Sequence, residues 1–198
     1  MIPHVRWRSV GVVVAVSVLA VVVRWVVGHP LTVRTQGMAP GVLRGDTLWI
    51  SQSDPQAGDV VQVDLGGAFG LYRIVGVDGQ VVEVKDKKLF IDGVRVDGSV
   101  ATTAVMENHS CVLESVPGVR ATLNGRAFDF VPGGEDFRVQ VKPGTVFVLG
   151  DNRSEAADSR LWGAVPMAQI HGVATRVIWS LSPCFSAVRW HRIWNSIE

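Results

Sequence analysis

Leu149-Gly150-Asp151-Asn152-Arg153-Ser154-Glu155-Ala156-Ala157-Asp158-Ser159-Arg160-Leu161-Trp162-Gly163 is the stretch from which the rest of the chain can be read. The residues before it, Gly144-Thr145-Val146-Phe147-Val148, are β-branched and aromatic and predict a buried strand. The chain therefore leaves a strand and enters a loop holding two Asp, two Arg, one Asn and two Ser. Asn and Asp close turns on their own backbone, and Gly150 and Gly163 permit backbone angles closed to other residues. Arg153 and Arg160 can each fork onto a carboxylate of Asp151 or Asp158, so the loop is expected to be held by its own charge pairs. An ordinary solvated turn is the plainer reading of the same composition.

Working outward, 198 residues leave room for one globular domain plus an anchor. A net charge of +1 argues against a nucleic-acid partner, which calls for a basic surface. The two cysteines, Cys111 and Cys184, are far apart and make no metal spacing. They can pair in an oxidising compartment or stay as two partly buried thiols. Five scattered histidines form no His-Glu-x-x-His pattern, so neither a metal nor another cofactor is expected.

Residues 1–8 are short and basic. Residues 10–23 are almost wholly Val, Ala, Gly and Leu, and after Arg24 the apolar run continues through Trp25-Val26-Val27. That length approaches the roughly 20 residues needed to cross the hydrocarbon core of a bilayer. Arg24 can keep its head in water beside Trp25 at the outer interface. A cleaved signal peptide is the rival reading, but Gly28-His29-Pro30 is a poor small-x-small site. We expect a transmembrane helix over residues 9–28. Arg6 and Arg8 precede it, so the N-terminus stays in the cytoplasm and residues 29–198 lie beyond the inner (cytoplasmic) membrane.

Gly-Asp-Asn-Arg at 150–153, Asp-Ser-Arg at 158–160 and Gly163 closely resemble the C-terminal signature of the type I signal peptidases, or leader peptidases. Two further boxes agree in order and spacing. Met38-Ala39-Pro40-Gly41-Val42-Leu43-Arg44-Gly45-Asp46 resembles the family's Ser-Met-x-Pro…Gly-Asp box, and Arg73, Gly76 and Gly79 match its Lys-Arg…Gly box. Pro55-Gln56-Ala57-Gly58-Asp59-Val60-Val61 resembles a further segment. The resemblance implies a mainly β fold, with twisted antiparallel sheets on a single N-terminal transmembrane helix. It also implies a serine endopeptidase that cuts signal peptides after Ala-X-Ala, using a Ser/Lys dyad and no cofactor.

At the chemistry itself the chain departs from that pattern. The nucleophile position is Gly37, which has no hydroxyl to attack a carbonyl. The general-base position is Tyr72, neutral at pH 7 with an ordinary pKa near 10; its bland role is to fill the space of the lysine stem. The position whose serine orients that lysine is Ala156. The resemblance implies an oxyanion hole from the Gly37 N–H and the Thr35 hydroxyl, with Met38 beside them at the cleft. Thr35 is equally well explained as a strand threonine. Asp151, Asn152, Arg153, Asp158, Ser159 and Arg160 are then structural.

The remaining chain reads as β structure. Residues 31–35, 47–50, 60–63 and 170–180 read as strands, and residues 81–94 as a hairpin whose Lys85, Lys87 and Lys88 are turn charges. Residues 95–140 read as short strands and loops, in the family a variable insertion. In the tail, Trp190 and Trp194 mixed with Arg189, His191 and Arg192 suit either a membrane interface or packing onto the domain. Three functions are compatible with these residues. The first is a catalytically degenerate protein that binds signal-peptide-like segments as an added strand. The second is an active endopeptidase with a substitute nucleophile, Ser51 or Ser53. The third is a non-catalytic assembly partner of membrane or secreted proteins.

Overall fold

The computed structural model describes residues 28–107 and 111–197, together with positions 14, 16 and 17. The expected transmembrane helix lies outside the described residues, among which no helix is long and apolar enough to cross a membrane. In chain order the strands are β1 (His29–Thr32), β2 (Asp46–Ser51), β3 (Val60–Asp64), β4 (Phe69–Gly76), β5 (Val81–Lys85), β6 (Lys88–Ile91) and β7 (Val94–Arg95). There follow β8 (Asp97–Glu107), β9 (Leu113–Leu123), β10 (Arg126–Phe130), β11 (Phe137–Gln140) and β12 (Thr145–Leu149). A one-turn helix α1 (Ser159–Trp162), β13 (Val165–Pro166) and β14 (Ile170–Ser180) complete the order.

A seven-stranded sheet runs β1-β2-β14-β3-β4-β12-β13, with a three-stranded sheet β10-β9-β8 and a four-stranded sheet β11-β5-β6-β7 beside it. Every pairing between these strands is antiparallel, as expected of a mainly β chain. The apolar run before the central loop is explained by β12. Side chains alternate across a strand, and here both faces are covered. Val146 and Val148 pack with Val61, Val63 and Ile74, whereas Phe147 and Leu149 pack with Val82, Leu89 and Phe130 from the smaller sheets. A strand buried on both sides reads as continuous hydrophobicity.

The hairpin of residues 81–94 forms as expected, β5 to β6. Asp86 and Lys87 take φ of 49° and 61° at its turn, the left-handed pair that two-residue hairpins demand. Residues 95–140 differ from the expectation of short strands: β8 and β9 are 11 residues each and pair as one long hairpin. Cys111, beside that hairpin, is disulfide-bonded to Cys184, so the two open thiol readings resolve to a bridge.

Candidate functional site

The loop after β12 is assembled from backbone upward. Its first residue, Gly150, allows three segments to meet: a Cβ there would overlap the Ala156 side chain and the Gly37 carbonyl. Asn152 N–H donates to the Gly37 carbonyl at 3.0 Å, and Ala156 N–H to the Asn152 carbonyl at 2.9 Å. On the other side Val131 N–H donates to the Asp151 carbonyl (2.8 Å) and Arg153 N–H to the Val131 carbonyl (3.0 Å). The loop is thereby fixed between the segment bearing Gly37 and the end of β10.

Asp151, Arg153 and Asp158 are buried, with Arg160 partly so, and only Glu155 of its charges is solvated. Asp158 caps α1 through the Arg160 N–H and accepts a fork from the Arg160 guanidinium at 2.7 and 2.8 Å; Gly150 N–H also donates to it. Arg160 also donates to the Ala156 carbonyl at 3.2 Å. Ser159 Oγ accepts from Val148 N–H, tying α1 to β12. Asp151 takes its fork from Arg73 on β4, at 2.9 and 2.8 Å, with both side chains fully buried. Arg73 is further engaged by the Gly58 carbonyl and lies over the Phe128 ring at 4.1 Å.

Arg153 departs from the expected pairing. Its guanidinium is buried and stacks over Phe130 at 4.8 Å, and its Nε and Nη2 have no hydrogen-bond partner. Burial pulls its pKa down to about 10, against the opposing charges of Asp151 and Asp158, so it remains a cation at neutral pH. The sequence offered one signal for the true partner of Asp151: Arg73 stood in the box that matched the family.

The loop forms one wall of a cleft of about 1040 Å³. Residues 30–37 form a second wall and Leu65 with residues 68–72 a third; Glu155, Ala156 and Ala157 close it. Two strand edges border it. Among the described residues the strand β1 pairs with β2 alone, and the Phe69–Tyr72 half of β4 pairs with β3 but not with β12. Thr35, Gly37, Tyr72 and Ala156, distant in sequence, all line this one cleft. Met38 does not: it is buried among Val33, Val42, Leu48 and Ile50, so its place is in the core and not at the cleft. Ser51 and Ser53 hydrogen-bond to each other at 2.8 Å and are not among the cleft-lining residues.

At the nucleophile position a Cβ built on Gly37 would stand 3.7 Å from the Ala156 Cβ, ordinary contact, so the backbone there accepts a side chain. The Tyr72 ring lies back over Gly70, where a Cβ would overlap it, and meets Trp162 edge-to-face at 5.6 Å. Burial first, and then the negative charge of Asp158, raise the Tyr72 pKa. No group of three or more His, Cys, Asp or Glu among the described residues is arranged to hold a metal.

The comparisons with known proteins agree with one another. A family model described as signal peptidase, peptidase S26, matches residues 6–179. A probable signal peptidase I-1 of Synechocystis is 28% identical over 202 residues, covering 94% of this chain and 86% of its own. The signal peptidase I of Bacillus licheniformis is 30% identical over 158 residues, 76% of this chain and 75% of its own. A crystal structure of a signal peptidase I from Enterococcus faecalis is 27% identical, covers 63% of this chain and 100% of that one, and superposes with a TM-score of 0.44. With the family model spanning most of its length, the chain belongs to the signal peptidase family, peptidase S26.

Proposed function

We propose that this chain is a signal-peptidase-like membrane protein that has lost peptide-bond cleavage and keeps its cleft as a binding site for extended, signal-peptide-like segments. One observation carries the reading: the described residues lining the cleft include no serine, cysteine, lysine or histidine. Gly37 has no nucleophile to offer. Tyr72 has its proton held more tightly than in water, so still less of it is present as the basic tyrosinate at neutral pH. Ala156 cannot orient a lysine. What remains suits binding. Two strand edges that lack a second strand partner among the described residues border the cleft, and an extended peptide can add between them as a further strand.

The test sets wild type beside the triple variant Gly37→Ser, Tyr72→Lys, Ala156→Ser on one preprotein, with a fluorescent Ala-X-Ala peptide for binding. Wild type should bind and not cut. Gly37→Ser alone should recover little, because an unassisted hydroxyl is a weak nucleophile. Adding the base contributes on the order of 10²–10⁴-fold, and the triple variant should cleave. Robust cleavage by wild type would overturn the reading, and absence of peptide binding would remove its second half.

Residues 9–28 we place across the inner membrane, with residues 29–198 outside. Arg6 and Arg8 support the orientation. An aromatic surface supports the proximity to lipid: Trp190 and Trp194 are 71% and 66% exposed, with Trp179 and Phe185 also exposed. External protease should digest the domain in spheroplasts; full protection would show the opposite orientation.

A further inference from the structure

We propose that the Cys111–Cys184 bridge is a site of thiol–disulfide exchange, opened by a dithiol reductant that attacks Cys111 and expels Cys184 as a thiolate beside Arg44. The two sulfurs differ in surroundings. Cys111 is exposed at the surface, whereas Cys184 is half-buried. Arg44 Nη2 donates to Cys184 Sγ at 3.4 Å. The Arg44 Nε is buried without a hydrogen-bond partner, and among the described residues no carboxylate lies within ion-pair distance of this guanidinium. A cation against one sulfur stabilises the anion that forms there. Exchange is faster when the departing thiolate is the more stable one and when the attacked sulfur is accessible. Both conditions select the same direction of attack.

The step balances. The reductant's thiolate bonds to Cys111 Sγ as the Sγ–Sγ bond breaks, and the electron pair leaves on Cys184. The reductant's second thiolate then attacks its own sulfur in the mixed disulfide and releases Cys111. The reductant ends as a disulfide, and the protein gains two electrons and, from solvent, the protons its thiols carry at the prevailing pH.

The bridge joins elements that bear on the cleft. Cys184 follows a segment held to the Gly45 turn, where Leu181 N–H donates to the Gly45 carbonyl at 3.0 Å. Cys111 lies between β8 and β9. Met106 of β8 and Val116 of β9 pack on Ala39 and Val131. Ala39 is two residues from Gly37, and Val131 carries the hydrogen bonds that hold Asp151 and Arg153. Opening the bridge loosens the support behind both walls at Gly37. Its effect on a bound peptide rests on the binding reading above; the thiol chemistry does not.

The experiment uses the full chain in detergent. Limiting glutathione, followed by alkylation and mass spectrometry, should place the mixed disulfide on Cys111. Reduction by dithiothreitol should be several-fold slower in Arg44→Met and near the wild-type rate in Arg44→Lys, with circular dichroism confirming that both are folded. On reduction, amide exchange at residues 37–39 and 152–153 should rise, and affinity for an Ala-X-Ala peptide should fall. Glutathione on Cys184, or an Arg44→Met rate equal to wild type, overturns the exchange site. Unchanged exchange at residues 37–39 overturns the coupling to the cleft. An oxidised protein that binds no peptide overturns the binding reading alone.

Discussion

Tyr72 is the residue on which the proposed loss of cleavage can be tested without a substrate. It is the only tyrosine in the chain, so tyrosinate absorbance near 295 nm reports this side chain alone. Burial and Asp158 both disfavour its anion. The folded protein should therefore titrate with a midpoint above that of the unfolded chain, about 10. The linkage has a definite sign. A group with a raised folded pKa contributes stability that is fully present below the unfolded pKa and is lost as pH rises through the folded one. Unfolding free energy should fall with pH above about 10, and Tyr72→Phe should flatten that part of the curve. A midpoint at or below the unfolded value would mean that the hydroxyl is stabilised as an anion, and Tyr72 would return as a candidate base.

At the scale of elements, the central loop shows what a sequence carries and what it withholds. β12 was legible because burial on both faces leaves an unbroken apolar run, and β14 because Val173, Thr175, Val177, Ile178 and Trp179 carry β character past its Gly172 and Ala174. The buried status of the loop's charges was legible only as a likeness to a family; composition alone fits a solvated turn equally well. The pairing was half legible. Arg160 and Asp158 are neighbours on one cap, so local spacing finds them, whereas Arg73 reaches Asp151 across 78 positions, and nothing local competes Arg153 out of that role. Met38 was misplaced for a related reason, since a motif records order along the chain and not the direction of a side chain. The loop's dependence on Asp158 is testable. Removing a buried carboxylate that holds Arg160, the α1 cap and Gly150 should cost roughly 3–5 kcal/mol. Asp158→Ala should lower the melting temperature by roughly 10 °C for a domain of this size, and an unchanged melting curve would show the loop to be dispensable.

For the molecule as a whole, the segment carrying Arg189 and Arg192 is tied to a buried carboxylate of β2. Asp46 on β2 is fully buried and accepts from Arg192 at 2.7 Å and from Ser180 Oγ at 2.6 Å, with Arg189 at 3.6 Å. Arg192→Ala strands that carboxylate and should cost roughly 3–5 kcal/mol by chemical denaturation. Arg192→Lys, which keeps the charge but not the fork, should fall between. A denaturation midpoint equal to wild type for Arg192→Ala would show that Arg189 and Ser180 suffice. The pairing also sets a timetable. A ribosome makes position 46 early and its cation 146 residues later, so during synthesis the carboxylate waits for its fork, and until then the strand that carries it is held less firmly. The domain is fastened by residues made long after those they hold, like a seam sewn from the finish backward, and a nascent chain halted before Arg192 should be a less firmly closed one.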